Sequence, residues 1–154
     1  MIIQKKKLHI IGSETKDNFF FRDLIKKNNN NNIFVHGHID HKELNKFFNK
    51  SHVFVLPSLE EGLAIVTLQA SSAGCPLIVS ENTGAMEFVS SSKCGYVIPI
   101  RDSQAITDKL TLLADDNNLL KELSNNAIKF SKNHTWESYV KDLDLLVGNF
   151  KKEN

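Results

Sequence analysis

The chain has 154 residues, of which 41% are hydrophobic and 24% are charged, as is typical of one soluble globular domain. The 19 Lys and Arg residues nearly balance the 18 Asp and Glu residues, and this net charge of +1 argues against a nucleic-acid-binding protein. No apolar run approaches the roughly 20 residues of a transmembrane helix, and the N-terminus lacks the order of a secretory signal.

Short apolar or β-branched runs predict five β-strands, at residues 8–11, 33–36, 53–56, 77–79 and 96–98. Segments with apolar residues at three- and four-residue spacing separate them, the first of these at residues 20–25. This alternation predicts βαβ units, and therefore an α/β fold with a Rossmann-like parallel sheet flanked by helices. The runs are continuously apolar, as in strands that are buried on both faces.

Polar residues mark the starts of several predicted helices. Asp40, with Glu43 three residues later, forms a capping-box-like pair. Ser103 precedes the first of the last three helical regions, and Thr135 is placed to cap the last helix. Residues 102–150 therefore form a helical C-terminal region, with breaks near residues 115–118 and 133–134. The asparagine run at residues 28–32 is interpreted as a loop.

The most informative segment is residues 57–79, which is typical of a loop, a helix and a following strand. The helix is predicted to open at Glu61 and Gly62, and Gly74 with Pro76 leads into the strand. In parallel α/β sheets such junctions bind ligands, and a helix N-terminus there offers backbone N–H groups to phosphate. Because a carboxylate repels phosphate, we expect Glu61 to accept hydrogen bonds from neighbouring sugar hydroxyls.

Glu61 and Gln69 are eight positions apart across the predicted helix start, which is roughly 10–12 Å along a helix. A sugar, a pyrophosphate and a ribose laid end to end cover a similar distance. The N–H groups of Gly62 and Leu63 are then expected at the phosphate, and the Gln69 amide at the ribose. The alternative is an exposed helix start with an ordinary polar residue at position 69, and the spacing alone leaves both interpretations open.

These residues resemble the second, nucleotide-sugar-binding domain of retaining glycosyltransferases with the GT-B fold, in family 4. The family signature matches Pro57, Ser58, Glu61, Gly62, Ala70, Ala73, Gly74 and Pro76 in register. Further matches are the loop at 83–87, the strand at 95–99, the aromatic helix start at 135–137 and the strand and glycine at 34–37. The resemblance covers residues 7 to about 148.

The resemblance implies a function and a set of site residues. It implies transfer of a hexosyl group, with retention, from a UDP- or GDP-sugar to a glycan or lipid-linked acceptor, without a metal or another cofactor. Glu61 is the implied catalytic residue and binds the donor sugar. The implied donor-binding residues are Gly12 at the pyrophosphate, His36 and Gly37 at the nucleobase, Gly62 and Leu63 at the sugar–phosphate, and Gln69 at the ribose.

The sequence also departs from the family pattern. Position 69 is Gln where Glu is usual, and position 14 is Glu where a second loop glycine is common, so altered nucleotide binding is expected. The basic pair that grips the diphosphate normally falls upstream of Leu8, and Lys5 to Lys7 are no replacement for it. We therefore interpret residues 1–154 as one donor-binding domain that lacks the acceptor-binding domain and is inactive alone.

Other interpretations remain. One alternative is a non-catalytic or split nucleotide-sugar-binding module, which would need a separate acceptor-binding chain. Another is a phosphate-binding α/β domain of a different function, such as a receiver-like module. This second alternative is disfavoured because the sequence has no acidic cluster at the end of the first predicted strand. His36, His38 and His41 cross a strand end, a loop and a helix start, so no metal site is expected. Two cysteines without metal or redox spacing favour a cytoplasmic protein, peripheral at the inner membrane face if it meets a lipid-linked acceptor.

Overall fold

The structure is a computed structural model that describes residues 6–13, 31–62 and 64–150, without the side chains of residues 136, 149 and 150. The chain divides into an N-terminal unit, Met1–Leu44, and a C-terminal unit, Asn45–Asn154. The helix predicted around residues 20–25 and most of the asparagine run lie outside the described residues. That residues 1–154 form a single domain stays a prediction.

In the N-terminal unit, β1 (Leu8–Ile11) and β2 (Ile33–Gly37) form a two-stranded parallel sheet. The apolar runs predict strands buried on both faces, but Leu8 is 51% exposed, and Phe34 and Val35 are each 38% exposed. That prediction is wrong for this sheet, because in the described part of the unit these side chains are not covered by a second layer.

The C-terminal unit has a three-stranded parallel sheet in the order β3 (Phe54–Leu56), β4 (Leu77–Ser80), β5 (Gly95–Ile98). Every residue of the central strand β4 is buried, as the sequence predicts. All five predicted strands are present with ends within one residue of the prediction. Among the described residues the hydrogen bonds join them into two sheets, where the sequence predicts one.

Helices flank these parallel strands and make the architecture α/β. They are α1 (His41–Phe48), α2 (Ile65–Ser72), α3 (Met86–Ser92), α4 (Ser103–Asp115), α5 (Asn117–Asn133) and α6 (Trp136–Phe150). The core of the C-terminal unit is the buried cluster of Ile78, Ile98, Leu113 and Leu123, which joins β4 and β5 to α4 and α5. In the part of the chain that the structure describes, no helix is long and apolar enough to span a membrane.

The predicted helix caps are present at two of three positions. The Asp40 carboxylate accepts a backbone N–H of the first turn of α1 at 2.9 Å. At α6, Thr135 and Ser138 each accept the other's backbone N–H, at 3.2 and 3.0 Å, in a reciprocal capping box. The cap of α4 is Asp102, which accepts a first-turn N–H at 2.9 Å, while Ser103 is the first helical residue. A carboxylate at this position also meets the positive end of the helix dipole.

Gly74 ends α2, and Pro76 leads into β4, as the sequence predicts. Gly74 has a φ of +79°, which is in the left-handed region that favours glycine. Its N–H donates to the Ser71 carbonyl at 2.9 Å, and the Cys75 N–H donates to the Ala70 carbonyl at 3.0 Å. This is the Schellman pattern, and it sets the direction in which the chain enters the central strand.

Candidate functional site

The loops that follow β3 and β4 are hydrogen-bonded to each other at the carboxyl edge of the C-terminal sheet. The Glu61 N–H donates to the Asn82 carbonyl at 3.1 Å. The Gly84 N–H donates to the carbonyls of Glu61 and Gly62, at 3.1 and 3.2 Å. Glu61 and Thr83 thereby form an isolated parallel bridge. The backbone of Glu61 is held in place, while its side chain is exposed.

Two buried hydroxyl groups support this pair of loops. Ser80 is 1% exposed and donates to the Ser58 carbonyl, and Thr83 is 5% exposed and donates to the Ser80 carbonyl at 2.8 Å. Both hydroxyl groups donate within the protein, so they position the loops. The sequence indicates the loop at 83–87 but not this role of Ser80 and Thr83, because two loops distant in sequence come together only in the folded sheet.

The helix of the candidate site begins later than the sequence predicts. α2 starts at Ile65 with Ala64 as its N-cap, so Glu61 and Gly62 belong to the preceding loop. The prediction of a helix that opens at Glu61 is wrong, because the hydrogen bonds to the loop after β4 hold this segment extended. The rise of a helix therefore does not set the separation of Glu61 from Gln69.

The N-terminus of α2 has free hydrogen-bond donors. Ala64 offers no capping side chain, and the described structure contains no partner for the N–H groups of Ile65 and Val66. The Gly62 N–H is likewise without a partner in the described part of the chain, and Gly62 is exposed. Unpaired N–H groups at a helix N-terminus attract anions through the hydrogen bonds that they offer and through the helix dipole. Leu63 lies outside the described residues.

Gln69 lies one turn into α2 and is half-buried. Its Oε1 atom is buried and accepts no hydrogen bond from any described residue. A buried acceptor without a donor is unfavourable by roughly 1–3 kcal/mol, so this amide gains by rotating toward a ligand hydroxyl. The structure thus leaves Gln69 available for the predicted contact.

Gly12, His36 and Gly37 lie together in the N-terminal unit. The Gly12 N–H donates to the Gly37 carbonyl at 2.9 Å, so this N–H is occupied within the unit. Gly12 is exposed and, having no side chain, allows a ligand to approach its backbone closely. Gly37 has a φ of +70°, which favours glycine at the end of β2.

An aromatic row lies on the face of β1 and β2 that carries His36. The His9 ring stacks on the rings of Phe34 and His36, each with centroids 5.1 Å apart, and Nδ1 of His9 is 2.9 Å from Nε2 of His36. Partial burial lowers the pKa of His9, and the nearby His36 and Lys7 lower it further. Lowering this pKa favours the neutral ring, which can stack on a planar ligand.

In the described part of the chain, the histidines at positions 36, 38 and 41 are not gathered around a metal position. His38 lies 3.5 Å from the Ser13 hydroxyl through Nδ1, and His36 pairs with His9. Across residues 6–13, 31–62 and 64–150, no three His, Cys, Asp or Glu side chains converge on one point.

A small cavity of about 200 Å³ lies at the carboxyl ends of β3, β4 and β5. Leu59, Ile98 and Ile106 contribute apolar lining, and Arg101 is the basic residue in it. Arg101 has a φ of +58°, a left-handed conformation that is uncommon for a residue other than glycine. Nothing in the sequence around Arg101 signals this conformation.

Three comparisons with known proteins agree with this architecture. The sequence profile of the family Glycosyl transferases group 1 matches residues 2–130. The capsular polysaccharide biosynthesis glycosyltransferase CapM of Staphylococcus aureus is 29% identical over 154 residues, which cover 96% of this chain and 39% of CapM. The structure of sucrose-phosphate synthase from Thermosynechococcus elongatus superposes with a TM-score of 0.84 at 21% identity, over 99% of this chain and 40% of that one. The structure of the pneumococcal O-GlcNAc transferase GtfA, in complex with UDP and GlcNAc, superposes with a TM-score of 0.74 at 20% identity, over 93% of this chain and 29% of that one.

At these identities the two structures show a shared fold, that of GT-B glycosyltransferases, which the sequence predicts. The chain spans 39% of the length of CapM and 40% of the sucrose-phosphate synthase chain. It corresponds to the C-terminal part of these proteins.

Proposed function

The chain belongs to the Glycosyl transferases group 1 family, and from this premise we propose that it binds a UDP- or GDP-sugar as the donor in hexosyl transfer. The observation that carries the proposal is the edge of the C-terminal sheet, where an exposed acidic side chain precedes free backbone donors. CapM acts in capsular polysaccharide biosynthesis, and GtfA was solved with UDP and GlcNAc. By analogy, we propose that this chain uses a UDP-linked donor and contributes to the synthesis of a polysaccharide or glycoconjugate.

Glu61 binds the donor sugar in this proposal. Its carboxylate is exposed, and its backbone is held by two hydrogen bonds to the neighbouring loop, so it is positioned before the donor arrives. Carboxylate oxygens accept strong hydrogen bonds from vicinal hydroxyls. The N–H groups of Gly62, Ile65 and Val66 bind the diphosphate, and Leu63 is assigned to the same role from its position between them. Gln69 accepts a hydrogen bond from the ribose through the Oε1 atom, which has no partner among the described residues.

The N-terminal unit is assigned to the nucleotide. His36 and Gly37 bind the base, and Gly12 allows close approach of the pyrophosphate. The stack of Phe34, His9 and His36 supports this assignment, because a base has the planar face that such a row accepts.

The chemical contribution of the site is stabilisation of the departing nucleotide diphosphate. Backbone donors and a helix dipole that are fixed before the reaction stabilise developing negative charge without reorganisation. We assign no general base, and we propose that transfer proceeds with retention. The acceptor, a glycan or lipid-linked sugar, is bound by an acceptor domain or partner chain, so the chain alone is expected to be inactive.

We also propose a cytoplasmic location, peripheral to the inner membrane face where the acceptor is lipid-linked. Cys75 and Cys94 are both buried and unpaired, which suits a reducing compartment.

The donor site is tested by titrating the chain with UDP, GDP, UDP-glucose, UDP-N-acetylglucosamine and GDP-mannose while recording amide chemical shifts. We expect the shifts to centre on Gly62, Ile65 and Val66. Glu61→Gln is expected to weaken binding of the sugar conjugate by at least about tenfold, since one charge-assisted hydrogen bond contributes roughly 1.5–3 kcal/mol. Binding of the bare nucleotide is expected to change little.

Glu60→Gln is the matched control, because Glu60 is the adjacent residue and is also exposed. If both variants weaken binding equally, the effect is one of general charge, and the assignment of Glu61 is wrong. If no nucleotide perturbs the chain at millimolar concentration, the donor-site proposal fails.

A second candidate function is a nucleotide-sugar-binding module without catalysis. It is favoured by Gln at position 69, which forms a weaker hydrogen bond to ribose than Glu does. Gln69→Glu separates the two candidates once an acceptor-binding chain and an acceptor are supplied. Sugar transfer by the unchanged protein supports the enzyme, and binding without transfer in both forms supports the module.

A further inference from the structure

A second groove lies beside the candidate donor site in the C-terminal unit. Its volume is about 420 Å³, within the roughly 300–1,000 Å³ of small-molecule sites. It is lined by Gly84, by residues of α3, and by Phe130 and His134 at the end of α5. None of the residues in the groove is assigned to the donor.

Three stacked rings form the apolar side of the groove. The rings of Phe88 and Phe130 are nearly parallel, with centroids 4.6 Å apart and 8° between their planes. The His134 imidazole also stacks on Phe130, at 3.9 Å between centroids. Phe88 and Phe130 are half-buried, and His134 is exposed, so the stack borders on solvent. Phe130 is the middle ring and both of its faces are covered, so the stack offers a ligand its ring edges and the outer faces of Phe88 and His134. Such an apolar border suits the C–H groups of a ligand.

The polar side of the groove offers acceptors. Glu87 is exposed, so its carboxylate is open to a ligand as a hydrogen-bond acceptor. Nδ1 of His134 lies 2.9 Å from the Phe130 carbonyl, and because a carbonyl can only accept, this nitrogen carries the proton. In the neutral ring, Nε2 is then an acceptor, with no partner in the described part of the chain.

The charge of the groove selects among ligands. Glu87 contributes a negative charge, and neither Lys nor Arg is among the lining residues. A phosphate or a nucleotide is therefore repelled, whereas a neutral molecule with several hydroxyl donors finds two acceptors and an aromatic surface. A hexopyranose has these features, since it combines an apolar C–H face with hydroxyl groups at its perimeter.

The groove is continuous with the donor loop through one residue. Gly84 lines the groove, and its N–H donates to the carbonyls of Glu61 and Gly62. A saccharide in the groove would lie next to the loop that we assign to the donor sugar.

We propose that this groove is a subsite for a neutral saccharide, with Glu87 and Nε2 of His134 accepting its hydroxyls and the Phe88 ring and the edge of the Phe130 ring contacting its C–H groups. The role of this subsite in binding the acceptor rests on the proposed function. Saccharide binding in the groove can be tested independently of that function.

The test is a titration of the full chain with the methyl β-glycosides of glucose, galactose and N-acetylglucosamine, followed by amide and histidine ring shifts. We expect at least one glycoside to bind with a millimolar Kd and to shift Gly84, Phe88, Phe130 and His134. Glucose 6-phosphate is expected to bind at least threefold more weakly than methyl glucoside, because Glu87 repels its phosphate.

Glu87→Gln and His134→Phe test the two acceptors, and the second substitution keeps an aromatic ring in the stack. Each substitution is expected to raise the Kd of the best-binding glycoside three- to tenfold, which corresponds to the loss of about one hydrogen bond. Glu122→Gln, at an exposed position of α5, is the matched control and is expected to have no effect. Phe130→Leu removes the central ring at similar hydrophobicity, and its amide spectrum shows whether the fold is retained.

The outcomes separate this proposal from the donor proposal. If UDP shifts Ile65 and Val66 while no glycoside shifts the groove at its solubility limit, the subsite is wrong and the donor site stands. If glycosides shift the groove but no nucleotide binds, the subsite stands and the proposed function fails. Glycoside shifts confined to Glu61 and Gly62 would place the sugar in the donor site and overturn the subsite.

Discussion

The central strand of the C-terminal sheet and the two strands of the N-terminal sheet have similarly apolar sequences and opposite burial. In β4, Leu77, Ile78 and Val79 are completely buried, whereas Leu8 of β1 is 51% exposed and Val35 of β2 is 38% exposed. β4 has a hydrogen-bonded neighbour on each side and packs with β5 against α4 and α5. In the described part of the N-terminal unit, β1 and β2 have only each other. An apolar run therefore indicates a strand, but the layers that pack on the faces of the sheet decide how deeply it is buried.

The largest expected effect is at Gly95, where β5 approaches β4. A Cβ at this position would lie 1.9 Å from the Leu77 carbonyl oxygen, and the strand backbone has no flexible side chain to move away. We expect Gly95→Ala to destabilise the C-terminal unit by more than about 4 kcal/mol, or to prevent folding. Urea denaturation followed by circular dichroism measures this change.

Gly148→Ala is the control for Gly95→Ala, because a Cβ there meets nothing within 4 Å and Ala favours the helix α6. It is expected to change stability by no more than about 1 kcal/mol, in the stabilising direction. A Gly95→Ala protein with an unchanged urea midpoint would show that β4 and β5 do not pair as described.

The next effect concerns thiol reactivity. Cys75 and Cys94 are 0% exposed, and burial raises the pKa of Cys75 to about 11. At neutral pH the thiol is therefore protonated and inaccessible, and the thiolate is the reactive form. We expect both cysteines to react with a disulfide reagent at least about 100-fold more slowly in the folded chain than in urea, since reaction requires opening of the core.

A cysteine introduced into the N-terminal sheet allows thiol reaction rates to be compared between the two sheets. Val35→Cys places a thiol on a strand residue that is 38% exposed, and it is expected to react without opening of the fold. Equal protection of residues 35 and 75 would contradict the difference between the two sheets.

The same Val→Ala substitution in each sheet compares how much the burial of one valine contributes to the free energy of unfolding. Val79 is completely buried, and Val79→Ala is expected to lower the free energy of unfolding by about 1.5–3 kcal/mol. Val35→Ala removes the same groups from a position that is already partly in water, and a loss below about 1 kcal/mol is expected. Calorimetric unfolding measures both values, and similar losses would mean that β2 is covered in the folded protein.

The smallest expected effect is a pH dependence in the N-terminal unit. Because the pKa of His9 is lowered in the folded state, the unfolded state binds more protons between that pKa and about 6.5. Stability is then constant above about pH 6.5 and falls on acidification, by only a few tenths of a kcal/mol because the ring is largely solvated.

His9→Gln is expected to remove this pH dependence. The ring proton shifts of His9 report its pKa directly, and a value at or above 6.5 would contradict the described pairing with His36.

The sequence predicts the local parts of the fold well. The strands, the caps at Asp40 and Thr135, and the glycine that ends α2 all depend on residues close in the chain. The predicted start of α2 at Glu61 fails for a nonlocal reason, since hydrogen bonds to the loop after β4 hold that residue extended. The cap at Ser103 fails because the neighbouring Asp102 is the stronger acceptor.

For the candidate site, the sequence indicates the residue types, and the fold decides what is free to bind. Glu61 and Gly62 are singled out by their motif, but only the structure shows that the N–H groups of Ile65 and Val66 have no partner among the described residues. It likewise shows that the Gly12 N–H is already used by Gly37. The groove at Phe130 and His134 has little sequence signal, because its walls come from α3 and α5, which are distant in the chain.

The sequence by itself determined the α/β class, the strand positions and the family, because periodicity, turn chemistry and motif spacing are properties of short stretches of chain. The tertiary structure decided which apolar strand is buried, where α2 begins and which polar groups are left without partners. These depend on contacts between segments that are far apart in sequence, and a hydrogen bond or a covering side chain exists only when the chain brings both partners together.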